Sequence, residues 1–201
     1  MDATALPALP AEQEPTRLTL QAYAHAVTAL PRANAVEHPR WWHASLKVRP
    51  EGLVTDPVPL PGGGTLGLRM DLQRHEAILR TSSGDEHRFD LRSGMTAAEL
   101  GGMILTVAAA HGVGEGVDRD RFADDDPRPY DPAAAGGYFM AFTSMATIFE
   151  RRRVSLGDRV GPVQVWPHHF DLAFEWFGSR PADPAEPDTP GQINLGFYPG
   201  G

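Results

Sequence analysis

Three strand-like segments follow one another almost without pause between residues 65 and 91. TLGLRMD (65–71) puts Leu66, Leu68 and Met70 on one side. HEAILRT (75–81) follows after a turn through Gln73 and Arg74, and HRFDL returns after a second turn, SSGDE (82–86). The period of two in the first segment, and the short turns that bound the others, mark all three as strands. A parallel crossover needs roughly a dozen residues or more, and these links are far shorter, so the strands must run antiparallel. That centre confines the chain to architectures built on an antiparallel sheet.

Helical spacing flanks this block. In TRLTLQAYAHAVTAL (16–30), Leu20, Tyr23, Ala24, Val27 and Leu30 recur at intervals of three and four, and Pro31 with the stretch after it is expected to end the helix. His25 falls on its flank and receives no role, because nothing near it in the sequence converges on it. Thr96 followed by Glu99 forms a capping box that opens a helix over about 97–111, closed by His111 and Gly112. Gly101 and Gly102 weaken that helix but permit close packing. Asp131 and Pro132 start a third helix with an apolar stripe of Tyr138, Phe142, Met145, Ile148 and Phe149. Arg151, Arg152 and Arg153 fall at its end, where positive charge suits the dipole. The fold class predicted is α+β, a mainly antiparallel, curved or split sheet packed against about three α-helices. Residues 15–201 are expected to form a single domain, preceded by a flexible N-terminal arm over 1–14.

A chain of 201 residues buries about 70% of its unfolded surface and needs no disulfide or structural metal to fold. It has no cysteine, which excludes thiol catalysis and cysteine-based metal sites. Its formal charge of -8, from 18 basic and 26 acidic residues, disfavours a nucleic-acid partner. No apolar run reaches the roughly 18 residues of a membrane span, and the opening MDATALPALPAEQEP does not read as a signal peptide. A cytoplasmic location is expected. GGG at 62–64 lacks the lysine and hydroxyl residue of a phosphate loop. Asp124, Asp125 and Asp126 lack calcium-loop spacing, so 116–130 is expected to be a solvated acidic loop.

The chemistry concentrates in two stretches. WWHASLKVR (41–49) alternates as a strand with Trp41, His43, Ser45 and Lys47 on its polar side. Residues 168–177 alternate as well, with His169, Asp171 and Glu175 on one face and His168 on the other. If the two strands meet, His43, His169 and Asp171 become a candidate catalytic set for proton transfer, because histidine titrates near neutrality. The same three residues, with His75 as a further candidate, have the composition of a two-histidine, one-carboxylate site for a divalent metal. Trp41, Trp166, His168 and Glu175 are the candidate lining of a ligand pocket, the tryptophans by stacking on a planar ligand. Loops 116–130 and 179–190 are candidate roofs over that groove. Ser45 and Ser144 lack the glycines of a nucleophile elbow.

Two functional readings remain open. The first is a small-molecule-binding protein, an enzyme if the His/Asp pocket transfers protons, with its cofactor unknown and a divalent metal the candidate. The alternative is a non-catalytic ligand-binding or protein-interaction domain, for which a homodimer is the partner considered.

WWHASLKV, then GLVTDPVPLPGG, and later WPHHFDLAFEWFGSR with a closing GFYPG, together resemble an uncharacterised bacterial family, domain-of-unknown-function family 5996. The resemblance runs from about residue 15 to the C-terminus. Its motifs fall here on Trp41, Trp42 and His43, and on Trp166, Pro167, His169, Phe170, Asp171 and Ala173. His168 stands at a position where the family varies, often with glutamate. The resemblance implies a shared fold and carries over no reaction, substrate or cofactor.

Overall fold

The structure is a computed structural model that describes residues 13–91 and 94–198. Most of the predicted arm, up to residue 12, lies outside the described residues. Helix α1 (Glu14–Asn34) opens the described chain, α2 spans Ala97–Ala110 and α3 spans Pro132–Ser155. The strands are β1 (Lys47–Arg49), β2 (Gly52–Val54), β3 (Val58–Pro59), β4 (Thr65–Asp71), β5 (Glu76–Thr81), β6 (Glu86–Asp90), β7 (Gln164–Trp166), β8 (Asp171–Pro181) and β9 (Pro190–Phe197).

The predicted meander is the spine of the first sheet, ordered β1-β2-β4-β5-β6 with β3 beside β4. Its antiparallel register sets Leu68 opposite Leu79, Met70 opposite Ala77, and Ala77 opposite Phe89. Leu66, Leu68, Met70, Ala77, Leu79 and Phe89 are all buried there, so the alternation read from the sequence is the alternation of a half-covered sheet. The last three strands form a second antiparallel sheet, β7-β8-β9. The two sheets meet at an isolated bridge: the Leu46 N–H donates to the Val165 carbonyl at 2.9 Å, and the Val165 N–H donates to the Leu46 carbonyl at 2.7 Å. The fold is therefore α+β with a split antiparallel sheet, and residues of both sheets and all three helices share one apolar core.

Both predicted caps form. Thr96 Oγ1 accepts from the Glu99 N–H at 3.0 Å while Glu99 Oε2 accepts from the Thr96 N–H at 2.9 Å. Asp131 Oδ1 accepts from the Ala133 N–H at 2.8 Å. Caps of this kind each contribute about 1 kcal/mol. Pro31 does not end α1, contrary to expectation. The helix runs on to Asn34, with Pro31 buried and its carbonyl accepting from the Ala35 N–H at 2.9 Å. A proline removes one helical donor, and the core contact of this turn offsets that loss.

The acidic segment 116–130 is not simply a solvated loop. It lies along α1, where Thr19 Oγ1 donates to the Pro129 carbonyl at 2.6 Å and the Asp131 N–H donates to Thr16 Oγ1 at 3.0 Å. A 3-10 turn, Arg119–Phe122, buries Phe122 against α2. A Cβ on Gly101 would sit 2.3 Å from that ring, whereas one on Gly102 meets nothing within 4 Å. Gly101→Ala is therefore expected to destabilise the chain by about 1–3 kcal/mol through overpacking. Gly102→Ala should stabilise it by about 0.5–1 kcal/mol. Urea melts of the two variants check the pair, and equal effects of the same sign would contradict this packing.

Candidate functional site

The histidine pair occupies a turn, not a strand. Trp166 and Asp171 are the last paired residues of β7 and β8, and Pro167 to Phe170 form the loop between them. The predicted strand over 168–177 therefore begins only at Asp171. Pro167 cannot donate to a ladder, and Phe170 has φ +51°, which turns the chain out of the extended region. The Phe170 ring is wholly buried, edge-on to Phe142 at 5.3 Å and to Tyr138 at 6.3 Å between centroids. With Phe170 pointing inward, His168 and His169 are left exposed, their rings 4.5 Å apart. Trp166 lies edge-on to His168 at 5.9 Å.

Asp171 is the counter-charge of this turn. It is half-buried, and its Oδ1 is buried without a hydrogen-bond partner. Burial raises its pKa, and the imidazoles of His168 and His169 oppose that rise. Burial and then the neighbouring His169 lower the pKa of His168, while Asp171 pulls it back.

The turn is fastened to α1. Gln21 Nε2–H donates to the His168 carbonyl at 2.6 Å. One helical turn further on, His25 Nδ1 lies 3.4 Å from Arg121 Nη2. An arginine only donates, so Nδ1 accepts there and the neutral ring carries its proton on Nε2. Burial, with the charges of Arg121, His168 and Arg32, pushes the His25 pKa down to about 4. Arg121 rides on the turn that Phe122 seats against Gly101. Leu18, Gln21, His25, Arg121, Phe122 and Arg128 line a cleft of about 280 Å³ between these elements. His25 and Arg121 are the residues that sequence reading missed. They are 96 positions apart, and neither sits in a motif that announces the other.

The other predicted residues lie elsewhere. The expected strand over 41–49 is a 3-10 turn, Trp42–Ala44, followed by β1 from Lys47. His43 is only 3% exposed, and its Nδ1 accepts from the His38 N–H at 3.0 Å. Burial lowers its pKa, and the charges acting on it are Glu37, Arg32 and Asp56, not His169 or Asp171. Trp41 is exposed, with the Arg32 guanidinium 4.2 Å from its ring centre and the His43 ring stacked at 5.5 Å. Glu175 is not beside the histidine pair either. Trp42 Nε1–H donates to its Oε2 at 3.1 Å and its Oε1 at 3.4 Å. His75 precedes β5 with φ +61°, and its Nδ1 is 3.1 Å from the Tyr130 hydroxyl. Among the described residues, no three His, Asp or Glu side chains are gathered to hold a metal ion, so His43, His169 and Asp171 do not form the predicted set. Ser45 is fully buried and 3.3 Å from Lys47 Nζ, but that ammonium is paired with Asp56 at 2.8 Å. A hydroxyl closed off from solvent beside a paired lysine is a structural element rather than a nucleophile.

Loop 116–130 does flank the cleft, through Arg121 and Arg128. The predicted 179–190 loop does not roof it. β8 runs to Pro181 and pairs with Pro190, which leaves an exposed hairpin tip.

These features define an α+β protein with a histidine-bearing hairpin turn docked on its first helix beside an arginine-lined cleft. The model of a family of unknown function (DUF5996) matches residues 6–195, and the chain belongs to that family. No curated protein and no solved structure matches it. No helix among the described residues is long and apolar enough to cross a membrane.

Proposed function

We propose that the chain binds a small molecule at the corner formed by the His168–His169 turn, Asp171 and the His25–Arg121 cleft. The observation that carries this reading is the Gln21–His168 hydrogen bond, which holds two exposed imidazoles against a cleft already containing a third. A rigidly held, partly desolvated set of imidazoles with one under-bonded carboxylate can orient a ligand and exchange protons with it. His168 and His169 are the exchanging groups, with the Asp171 carboxylate beside them. If the bound molecule reacts, this is where it would do so. His43 and Glu175 contribute to the fold around the 41–45 turn rather than to this corner.

A thermal-shift screen of neutral, cationic and anionic small molecules on the full chain, followed by titration calorimetry, tests this. The affinity of a ligand found this way is expected to fall about tenfold in His168→Ala, His169→Ala and Asp171→Asn. Unchanged affinity in all three would sink the reading.

The alternative, an interaction domain, has one observation in its favour. β9 is the edge of its sheet, and beside it Leu156, Trp176, Ile193 and Leu195 line an apolar groove of about 270 Å³. Antiparallel pairing of β9 with β9 of a second copy would cover that edge around a two-fold axis. A strictly monomeric chain in sedimentation at high concentration rules this version out.

A further inference from the structure

We infer that the ligand of the α1 cleft is a small anion, bound through a carboxylate or phosphate group that Arg121 clasps beside His25. This rests on the binding reading above and names its chemical class. Two arginines line the cleft, one paired with a carboxylate and one not. Arg128 is paired with Asp124, and Arg17, on the same helix as His25, is paired with Glu14. Arg121 has no carboxylate within 4.0 Å among the described residues, and its nearest polar contact is a ring nitrogen at 3.4 Å. Its Nε is also buried without a hydrogen-bond partner.

A buried guanidinium donor without a partner carries a cost. A guanidinium offers five donors in a planar fork, and a buried donor left unmade forfeits its hydration. Asp124 also lines the cleft but is paired with Arg128, and no carboxylate among the described residues closes on Arg121. A planar or tetrahedral oxyanion supplies what is missing: two acceptors in fork geometry and a compensating charge. The neighbouring imidazole fits the same ligand. Because Arg121 occupies Nδ1, the Nε2–H of His25 is a second donor on the cleft wall. The Gln21 amide is already committed, since its Nε2 donates to the His168 carbonyl and its Oε1 accepts from Arg17 at 3.3 Å. A cleft of about 280 Å³ suits a small molecule rather than a polymer.

The test titrates the full chain with inorganic phosphate and, separately, with malonate, at constant ionic strength, following the His25 ring signals by NMR. Saturable shifts with either probe are expected. Arg121→Gln should weaken the affinity about tenfold or more, and Arg121→Lys should weaken it less. Urea midpoints of both variants verify that the fold persists. Phosphate binding without malonate binding, or the reverse, identifies which oxyanion the cleft takes. No saturable shift with either probe, or equal affinity in Arg121→Gln, overturns the inference. If the screen then yields a neutral ligand that depends on His168, the anion assignment falls and the binding site stands. If no ligand depends on His168 either, both fall together.

Discussion

Phe170→Ala is expected to lower stability by about 3–5 kcal/mol, the range for truncating a fully buried aromatic. The ring fills the space between Tyr138 and Phe142, so its removal opens a cavity lined by other aromatics. The residue sits at φ +51°, where alanine carries the same Cβ penalty as phenylalanine, so the backbone does not offset the loss. Denaturant unfolding followed by circular dichroism gives the value, and a loss below about 1 kcal/mol would mean that the ring is not the anchor described. The local effect matters as much. Phe170 ties the hairpin loop to α3, so its loss should free His168 and His169 from their orientation even in molecules that remain folded. Ligand affinity measured well below the unfolding midpoint should therefore fall as well.

A second large effect is expected at Gly161. A Cβ there would lie 2.4 Å from Glu175 Oε2 and 3.0 Å from Trp42 Cζ2. Glu175 is 9% exposed, and the Trp42 indole is the side-chain donor to its carboxylate. Gly161→Ala forces the carboxylate off that donor while keeping it buried, at a cost of about 3 kcal/mol from overpacking and the lost hydrogen bond together. In a Glu175→Ala background only the tight approach to Trp42 remains, and the same substitution should cost less, about 1–2 kcal/mol. Equal costs in both backgrounds would show that the two residues do not meet. The same latch has a pH signature. Burial raises the Glu175 pKa above its ordinary 4.5, with the Trp42 bond opposing. The folded chain then binds more protons than the unfolded chain just above that value. Stability falls as pH rises from 4.5 to the raised pKa and is level beyond it. Asp171 is shifted in the same direction by burial, so Glu175→Gln should flatten only part of the slope.

What could be read from the sequence was local. The meander, the Thr96–Glu99 capping box and the Asp131 cap each depend on residues a few positions apart, and each formed as expected. Two apparent strands failed for a shared reason. WWHAS alternates in apolar character, but Trp41 adopts φ +61° and the turn after it is held by Trp42 reaching Glu175, 133 residues away. HHFDL also alternates, yet Phe170 breaks the extended run to reach α3; Pro167 was the one local warning. Period two reports only which residues are apolar, and a turn that buries every second residue produces the same pattern. The candidate site divides along the same line. The sequence marked the 166–171 stretch as a concentration of titratable groups. It joined that stretch to His43, because alternation suggested a neighbouring strand and gave no sign of a helix lying across the turn.

The Leu46–Val165 bridge has a consequence for how such a surface diversifies. It is made by peptide groups alone, and Val165 precedes the histidine turn by only three positions. Replacing side chains leaves a main-chain rung intact. Substitutions on the loop can thus alter what it recognises, while its address relative to the amino-terminal half of the molecule is kept.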